Sequence, residues 1–534
     1  MTNTATEQAY DAIPYPSYPF PETHPDRLAT VATLLGMQPA PVERCRVLEL
    51  GCAAGGNLIP MAYTLPDSQF VGVDLSARQI AAGQPLISAL GLKNISLQQL
   101  DLLEVGPEFG LFDYIIAHGV YSWVPPDVQT KLLQICRENL APNGVAYVSY
   151  NTYPGWRIRG IIREMMLFHL RHIAEPQARL AGARELLDFL AGSIQAENNI
   201  HGDFLRSYVN YVRERLLPET EDAYLFHEEL AGVNEPLYFY QFVERITAHG
   251  LQYLGEAQFQ TMLAGNFPAE VVQKLRAMAA TTVALEQYMD FLRNRTFRRS
   301  LLCHREVRLS GRLAPERLGQ FYLASPAKPE SKEPVDLNSD AAVTYRGPDG
   351  KTLTSNHPLT KAAMSYLAEI WPQVVSFAGL VAAASRRLGE DAAGGPATVA
   401  EVQLLGANLL QAYGVSDNLV EFHVYGPHFV TRPGPQPTAS AVARWLAERG
   451  PEVTNLRHEP VRLHPFIHHL VRLLDGHTDR PALLQKLAEL LAAGMIQVEQ
   501  NDRPVEDLAE ARKLLPEMLE SSLQAVADAA LLVS

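Results

Sequence analysis

The sequence predicts an α/β protein built around a doubly wound, mostly parallel sheet, and three observations support this fold class. At 47–57, V-L-E-L-G-C-A-A-G-G-N joins an apolar run to a bend of small residues. The later V-G-V-D-L ends a second apolar run at Asp74. Apolar runs and helical patterns then alternate as far as Asn151. A strand, a Gly-rich turn, a helix and a strand ending in an acid form the nucleoside-binding unit of such sheets.

Each element of the predicted sheet follows from a local pattern. An arm at 1–40 carries A-I-P-Y-P-S-Y-P-F-P, whose prolines exclude a regular helix. Its tyrosines are expected to close over the site as a lid, with simple packing on the domain surface as the alternative. The predicted strands are R-V-L-E-L, Q-F-V-G-V-D, N-I-S-L-Q-Q-L, F-D-Y-I-I-A-H-G and G-V-A-Y-V-S-Y-N. Helices are predicted at 58–65, 77–90 and 126–140, with a turn at A-P-N-G before the fifth strand.

The rest of the chain is predicted to form further domains, as expected for 534 residues. The nucleoside-binding core takes 41–156, and 157–310 holds a helical insertion with the remaining strands, including one at 297–306. Residues 311–345 are rich in Pro, Ser and charge and are predicted to be a linker. Residues 346–534 are predicted to be mostly helical, and helices at 361–369, 374–388 and 399–411 before the strand L-V-E-F-H-V suggest a winged-helix-like module.

Composition excludes several classes of protein. The net charge of −14 argues against a nucleic-acid partner, because phosphate binding requires a basic surface. Four scattered cysteines favour a reducing cytoplasm over a disulfide framework or a zinc ribbon. The first residues show no signal-peptide pattern, and no apolar run is long enough for a membrane helix. H-P-F-I-H-H spaces His464 and His468 by one helical turn, but no nearby carboxylate completes a ligand set, so no metal is expected.

The bend at 51–57 could bind either of two nucleosides. A dinucleotide loop requires G-x-G-x-x-G, and the middle glycine is here Ala53. S-adenosylmethionine has no phosphate and instead needs acceptors for its ammonium, ribose and adenine groups. Glu49, Asp74 and Asp101 stand at the ends of three successive apolar runs in the order that these groups require. The sequence therefore favours S-adenosylmethionine over a nicotinamide dinucleotide.

Polar and aromatic residues cluster on the loops after the fourth and fifth strands. Because ligands bind beyond the carboxyl ends of parallel strands, both loops should face one crevice. The loop residues are His118, Tyr121, Ser122, Trp123, Asn151, Tyr153 and Trp156. Tyr121, Asn151 and Tyr153 are predicted to be the catalytic residues, which orient an acceptor amine. His118 is open to two interpretations: a general base, or a ring packed beside the cofactor.

A family resemblance rests on longer motifs. Y-P-S-Y-P-F-P-E-T-H-P-D-R-L, H-G-V-Y-S-W-V-P, Y-N-T-Y-P-G-W and Y-L-F-H-E-E-L-A-G-V-N-E-P-L-Y-F-Y-Q-F resemble a bacterial group of class I methyltransferases. This group carries a methyltransferase regulatory domain and includes the rickettsial protein-lysine methyltransferases of an outer-membrane protein. The resemblance implies a seven-stranded Rossmann-like sheet with a helical insertion, S-adenosylmethionine as cofactor, and a C-terminal winged helix.

The resemblance also implies site residues. Besides Glu49, the cofactor site would comprise Gly51, Cys52, Ala53, Asn57, Asp74, Leu75, Gln79, Asp101, Leu102 and His118. Tyr18 and the arm residues 24–27 would cover it. The resemblance implies that His227, Glu228, Asn234 and Tyr238 of the inserted domain hold the substrate. Trp123 and Trp156 are predicted to bind it as well, because they lie on the two loops that face the crevice.

The implied substrate is a protein lysine side chain, with a small molecule or peptide natural product as the alternative. A cofactor-sensing regulator that reads DNA is disfavoured, because the candidate recognition helix at 401–411 contains no Lys or Arg. A protein-binding role for the C-terminal region is preferred, with substrate recruitment or homodimer formation both open.

Overall fold

The computed structural model describes residues 13, 15, 17–194, 200–216, 222–310, 313–389, 397–500, 503–505 and 507–534. Its central feature is a seven-stranded sheet of order β3-β2-β1-β4-β5-β7-β6. The strands are β1 (Arg46–Leu50), β2 (Gln69–Asp74), β3 (Ile95–Gln99), β4 (Phe112–Ala117), β5 (Leu140–Asn151), β6 (Leu251–Glu256) and β7 (Phe297–His304). Strands β1 to β5 pair in parallel, and β7 runs antiparallel to β5 and β6. This is the predicted Rossmann-like sheet, with an antiparallel seventh strand.

Five helices lie along the core of the chain and largely match their predicted positions. They are α1 (Pro25–Leu34), α2 (Leu58–Thr64), α3 (Ala77–Leu90), α4 (Pro126–Glu138) and α5 (Gly155–His169). Helix α3 begins at a Ser76 cap that accepts from the Gln79 N–H and ends at Gly91 in the left-handed conformation. Both signals are local, and the helix therefore has the bounds that the sequence predicts.

One local prediction about this region is wrong. A-P-N-G is not a turn before β5 but part of β5, where the pairing with β4 shifts register between Phe112 and Tyr114. The bulge absorbs the extra residues and the strand continues. Further along the chain lie three helices, α8 (Phe239–Ala248), α9 (Ala269–Met278) and α10 (Thr282–Arg293). Thr281 caps the N-terminus of α10.

The insertion is helical, as predicted. It comprises α5, α6 (Pro176–Ser193) and α7 (Ile200–Tyr211), followed by a turn at Asp222–Tyr224 and a π-helical segment at Leu225–Glu229. Its own apolar core includes Met166, Leu187 and Phe226. It returns to the sheet through a bridge between Thr152 and Leu237. The insertion therefore stands directly beyond the carboxyl ends of β4 and β5.

The described part of the predicted 311–345 linker is not a spacer. Residues Tyr322–Ala324 form β8, which pairs with β12 (Val375–Ser376) and β13 (Glu421–His423). Leu323 is fully buried in the same apolar core as Val47 of the central sheet. The linker prediction is therefore wrong here. The buried strand is only three residues long, and the polar residues next to it dominate the local composition.

The remaining elements form two units at the C-terminal end. The first contains β9 (Lys328–Pro329), β10 (Val343–Arg346), β11 (Thr352–Ser355), α11 (Pro358–Ile370), α12 (Phe377–Arg387) and α13 (Val399–Val415). The second contains α14 (Ala441–Ala447), β14 (Glu452–Thr454), β15 (Pro460–Arg462), α15 (Pro465–Leu473), α16 (Arg480–Ala492), β16 (Glu499–Gln500), β17 (Arg503–Pro504) and α17 (Leu508–Asp528). Helices α11 to α13 share the main core, whereas the second unit has an apolar core of its own. None of the helices in the described ranges is long and apolar enough to cross a bilayer.

Candidate active site

The bend after β1 is shaped by backbone conformations that favour residues without bulky side chains. Gly51 has φ +76° and Ala53 has φ +47°. A Cβ added at Gly51 would lie 2.6 Å from Cγ2 of Val120. The Gly51 and Cys52 N–H groups donate to the Val73 carbonyl at 2.8 and 3.1 Å, which ties the bend to the end of β2. The bend therefore leaves open space beyond the strand ends.

Glu49 places a buried carboxyl at this space. Its side chain is 3% exposed, and Oε1 accepts from Asn57 Nδ2 at 2.7 Å. Among the described residues Oε2 has no hydrogen-bond partner. Burial raises the pKa of Glu49 to about 8. A buried carboxyl with a free oxygen matches a cationic ligand, which would restore its charge.

The two other acids stand at the ends of β2 and β3. Asp74 accepts from the Ala53 N–H at 2.8 Å and from the Ser76 N–H at 2.9 Å, so its carboxylate shapes the bend. Asp101 accepts from the Leu103 N–H at 3.0 Å. Both side chains are half-buried and line the same cavity as Glu49. The three acids therefore meet at one edge of the sheet, as the sequence predicts.

The N-terminal arm forms one wall of the cavity. Ser17 Oγ accepts from the Gly56 N–H at 2.7 Å, and the Phe20 N–H donates to Asn57 Oδ1 at 2.8 Å. Tyr15 and Tyr18 line the cavity beside them. Arm residues 24–27 do not line it. They pack towards Glu421–His423 instead, so the prediction that they cover the site is wrong.

His118 is a neutral packing group in this structure. Its ring stacks on Phe20 with 3.8 Å between centroids, and Nδ1 lies 2.8 Å from the Tyr147 hydroxyl. The surrounding protein excludes water and lowers the pKa of His118 to about 3, assisted by Arg299. Of the two interpretations of His118, this geometry favours the ring packed beside the ligand.

The cavity has a volume of about 1500 Å³, including the part open to solvent. All twelve residues predicted for the cofactor line it: Tyr18, Glu49, Gly51, Cys52, Ala53, Asn57, Asp74, Leu75, Gln79, Asp101, Leu102 and His118. Tyr15, one of the arm tyrosines expected to close over the site, lines it as well, but the prediction did not include Ser17, Phe20, Gly119, Val120, Val124, Pro125, Val128 and Phe297. Most of these lie in the arm and the β4 loop, whose sequences already pointed to the site. Phe297 begins β7, and no local signal places it there.

The insertion also contributes to the cavity lining. His227 and Glu228 of the insertion line the cavity together with Trp123 of the β4 loop. His227 Nε2 lies 2.5 Å from the Ile13 carbonyl, and burial lowers the pKa of this histidine. Burial raises the pKa of Glu228 to about 7, although Arg159 lies 3.9 Å away and opposes that shift. A carboxyl that can change charge near neutral pH therefore lines the same cavity as the three acids.

Six predicted residues lie outside the cavity lining. They are Tyr121, Asn151, Tyr153, Trp156, Asn234 and Tyr238. Tyr121 is fully buried against Phe242, with its hydroxyl 3.5 Å from Arg245, so the structure contradicts its assignment as a residue that orients substrate.

The other five residues form a layer behind the cavity. Asn151 Nδ2 donates to Asn234 Oδ1 at 2.8 Å, which ties β5 to the insertion. Tyr153 packs against Tyr238 with 5.2 Å between ring centroids. Trp156 packs edge-on to Trp123 at 6.0 Å. These contacts support the wall of the cavity and do not reach its space. No cluster of His, Cys, Asp and Glu that could hold a metal occurs within the described ranges.

Comparison with known proteins places this geometry in a family. Three family models match the chain: "Methyltransferase domain" at 48–146, "Predicted methyltransferase regulatory domain" at 221–304 and "PKMT, C-terminal winged helix domain" at 436–531. The last match lies C-terminal to the helices at 361–411 that the sequence assigned to a winged-helix-like module. It coincides with the unit that has its own core.

Full-length relatives agree with these models. The protein RP789 of Rickettsia prowazekii is 34% identical, over 99% of this chain and 94% of its own length. PKMT2 from Rickettsia typhi has a solved structure that superposes with a TM-score of 0.84 at 30% identity, covering 97% of this chain and all of that one. A second structure of PKMT2, in complex with AdoHcy, has the same TM-score and identity.

The chain is therefore a class I methyltransferase that uses S-adenosylmethionine. It belongs to the family that joins a methyltransferase domain, a methyltransferase regulatory domain and a C-terminal PKMT winged-helix domain.

Proposed function

We propose that this protein transfers methyl groups from S-adenosylmethionine to the side-chain amine of lysine residues in a protein substrate. The observation that carries the proposal is that Glu228 lines the same cavity as Glu49, Asp74 and Asp101. A lysine that enters this cavity would meet a carboxyl of suitable pKa on the regulatory domain. The similarity to the rickettsial protein named PKMT2 supports a protein as the substrate.

The residues around the bend fit the donor. Glu49 offers its free Oε2 to the donor's ammonium, Asp74 and Asp101 offer acceptors to the ribose and adenine, and His118 and Phe20 provide an aromatic wall. The donor supplies a methyl group on a sulfonium, which is an electrophile. The three carboxyls would bring negative charge to a ligand that is positively charged, which supports the roles proposed for them.

The acceptor amine must be neutral before it attacks. At pH 7 a lysine with a pKa of about 10.4 pays roughly 4–5 kcal/mol to lose its proton. Ionised Glu228 would attract the lysine ammonium and accept that proton, and His227 and Trp123 would border the aliphatic stem. The nitrogen lone pair then forms the N–C bond while the S–C bond breaks and its electron pair stays on sulfur. Positioning by the cavity walls supplies much of the acceleration.

An experiment distinguishes this proposal from a small-molecule or peptide natural-product substrate. The purified protein is incubated with isotopically labelled methyl donor and a cell extract separated into protein and metabolite fractions. Label on lysine residues, located by peptide mass spectrometry, supports the proposal. Label confined to metabolites would establish the alternative, and label on other protein side chains would overturn the lysine assignment.

A homodimer in the cytoplasm is the assembly that we expect. Three apolar side chains of the insertion are largely exposed: Phe168 at 68%, Phe189 at 62% and Ile200 at 79%. Exposed apolar residues concentrated on one unit favour a protein–protein contact. Sedimentation analysis of the full chain, with Phe189→Ser as the comparison, tests this expectation.

A further inference from the structure

The hairpin of the C-terminal unit reaches into the catalytic core. It consists of β14, β15 and the turn between them, and lies within the segment matched by the PKMT winged-helix model. Asn455 holds the turn, because its Oδ1 accepts from the N–H groups of Arg457 and Glu459 at 2.9 and 2.8 Å. The Leu456 N–H donates to the Ala530 carbonyl at 2.9 Å. The turn is therefore fixed to its own unit and presents a defined tip.

His458 is the residue at this tip that contacts the core. It is 4% exposed and has φ +62°, an uncommon conformation for a non-glycine residue. Its Nε2 lies 2.8 Å from Asn57 Oδ1. Burial lowers the pKa of His458, so the ring is neutral and Nε2–H donates to Asn57.

Asn57 connects this contact to the cavity. Its Oδ1 also accepts from the Phe20 N–H of the arm at 2.8 Å, and its Nδ2 donates to Glu49 Oε1 at 2.7 Å and to Thr23 Oγ1 at 3.0 Å. A single amide thus links the hairpin, the arm and the carboxyl at the end of β1. The orientation of that amide decides which of its ends faces Glu49.

We propose that His458 is a positioning residue of the methyl-donor site, through which the C-terminal winged-helix domain sets the affinity for the donor. By donating to Oδ1, His458 keeps the Nδ2 end of Asn57 turned towards Glu49. Glu49 then keeps Oε2 free for the donor's ammonium, and Phe20 stays against His118. This inference rests on the methyl-donor site of the proposed function and does not depend on which acceptor is methylated.

The docking of the hairpin does not depend on His458 alone. Arg457 Nη2 lies 2.5 Å from Glu421 Oε2, and its guanidinium stacks over Trp371 at 4.2 Å. The Ala441 N–H donates to the Tyr63 hydroxyl at 3.4 Å. A substitution at His458 can therefore change the orientation of Asn57 while the C-terminal unit stays in place.

Two substitutions at His458 separate the loss of the hydrogen bond to Asn57 from the loss of the imidazole ring. In His458→Gln an amide N–H occupies the position of Nε2 and can still donate to Asn57. In His458→Asn the side chain is too short for its amide to reach Asn57, although asparagine tolerates the left-handed backbone conformation. Arg462→Ala is the matched control on the same hairpin, because that side chain is 76% exposed and, within the described part of the chain, pairs only with Glu452.

The experiment measures AdoHcy affinity by calorimetry in the full-length protein. We expect His458→Asn to bind AdoHcy about tenfold more weakly than wild type, as one lost buried hydrogen bond would predict. His458→Gln and Arg462→Ala should stay within about threefold. In turnover assays His458→Asn should raise the KM for S-adenosylmethionine while kcat at saturating donor changes little.

Hydrogen exchange supplies the reciprocal measurement. Coupling between two sites acts in both directions, so AdoHcy should slow exchange at residues 452–462 in wild type but not in His458→Asn. Equal AdoHcy affinities for His458→Gln and His458→Asn would overturn the inference. So would an equal slowing of exchange by AdoHcy in wild type and in His458→Asn. Wild-type protein that binds no AdoHcy would instead contradict the methyl-donor site itself.

Discussion

Glu49 shows how burial and charge combine at a single residue. Its carboxyl is removed from water and has one oxygen without a partner within the described part of the chain, which raises its pKa to about 8. In the absence of a ligand the neutral form therefore dominates at pH 7. A cation beside Oε2 favours the ionised form and lowers the pKa. Binding of the donor is thus coupled to the release of a proton.

The first prediction concerns the pH dependence of this coupling. Below pH 8, Glu49 must lose a proton before it can pair with the ammonium, so affinity should weaken as pH falls and level off above pH 8. We expect AdoHcy to bind about tenfold more weakly at pH 6.5 than at pH 8.5 in calorimetry. Glu49→Gln should show a much flatter profile, and parallel profiles for the two proteins would contradict the assignment.

The second prediction concerns Glu228. Glu228→Gln keeps the shape of the side chain but cannot accept a proton, so kcat/KM for a lysine peptide should fall by about 100-fold. AdoHcy affinity should stay within about threefold. Asp188→Asn, an exposed substitution on the same insertion, is the control and should retain full activity. Unchanged turnover in Glu228→Gln would show that solvent takes the proton.

At the scale of elements, the bend after β1 and the N-terminal arm act as one unit. Gly56 is the point of closest approach, where an added Cβ would lie 2.2 Å from the Ser17 carbonyl oxygen. Backbone meets backbone there, and neither side can yield by a change of rotamer. The arm can keep its position against the cavity only if residue 56 has no side chain.

The third prediction follows from this contact. Gly56→Ala should displace the arm, weaken AdoHcy binding by at least about tenfold and speed proteolytic cleavage at residues 17–23. Gly192→Ala, on an exposed face of α6 where nothing lies within 4 Å, should leave binding unchanged and slightly raise the Tm. Normal AdoHcy affinity in Gly56→Ala would mean that the arm is not part of the site.

At the scale of the whole molecule, a buried ionic network joins the first helix to the C-terminal half. His423 Nδ1 lies 2.7 Å from Asp26 Oδ2, and its Nε2 lies 3.2 Å from Glu421 Oε2. Burial alone would lower the pKa of His423, but the two carboxylates raise it above its usual value. Arg27 and Arg457 contact the same Glu421. Ionisable side chains almost 400 positions apart in the sequence thus interact directly in one buried network.

The fourth prediction uses this network. A histidine whose pKa is raised on folding stabilises the protein fully below its unfolded pKa of about 6.5 and loses that contribution as pH rises through the folded value. Asp26→Asn should therefore lower stability by about 1.5–3 kcal/mol at pH 6 and by less at pH 9. Thermal unfolding at pH 6 and pH 9 measures this loss of stability. Asp203→Asn is the control, because Asp203 is exposed. An equal loss at both pH values would show that His423 stays neutral.

The sequence alone determined the sheet and most of the residues that line the cavity. Bends, caps and apolar alternation are local, and parallel strands bring their carboxyl ends to one edge, so Glu49, Asp74 and Asp101 could be placed together without a structure. Which loop aromatics face the cavity was not determined. Tyr121 and Trp123 lie two positions apart in one short turn, and only packing against Phe242 turns Tyr121 inwards.

Tertiary structure also decided every contact between distant parts of the chain. The hydrogen bond from His458 to Asn57 spans 401 positions, and Phe297 enters the cavity from the last strand of the sheet. Neither residue stands in a motif. Their positions depend on how whole units dock, which is set by the summed burial of apolar surface and not by any local pattern.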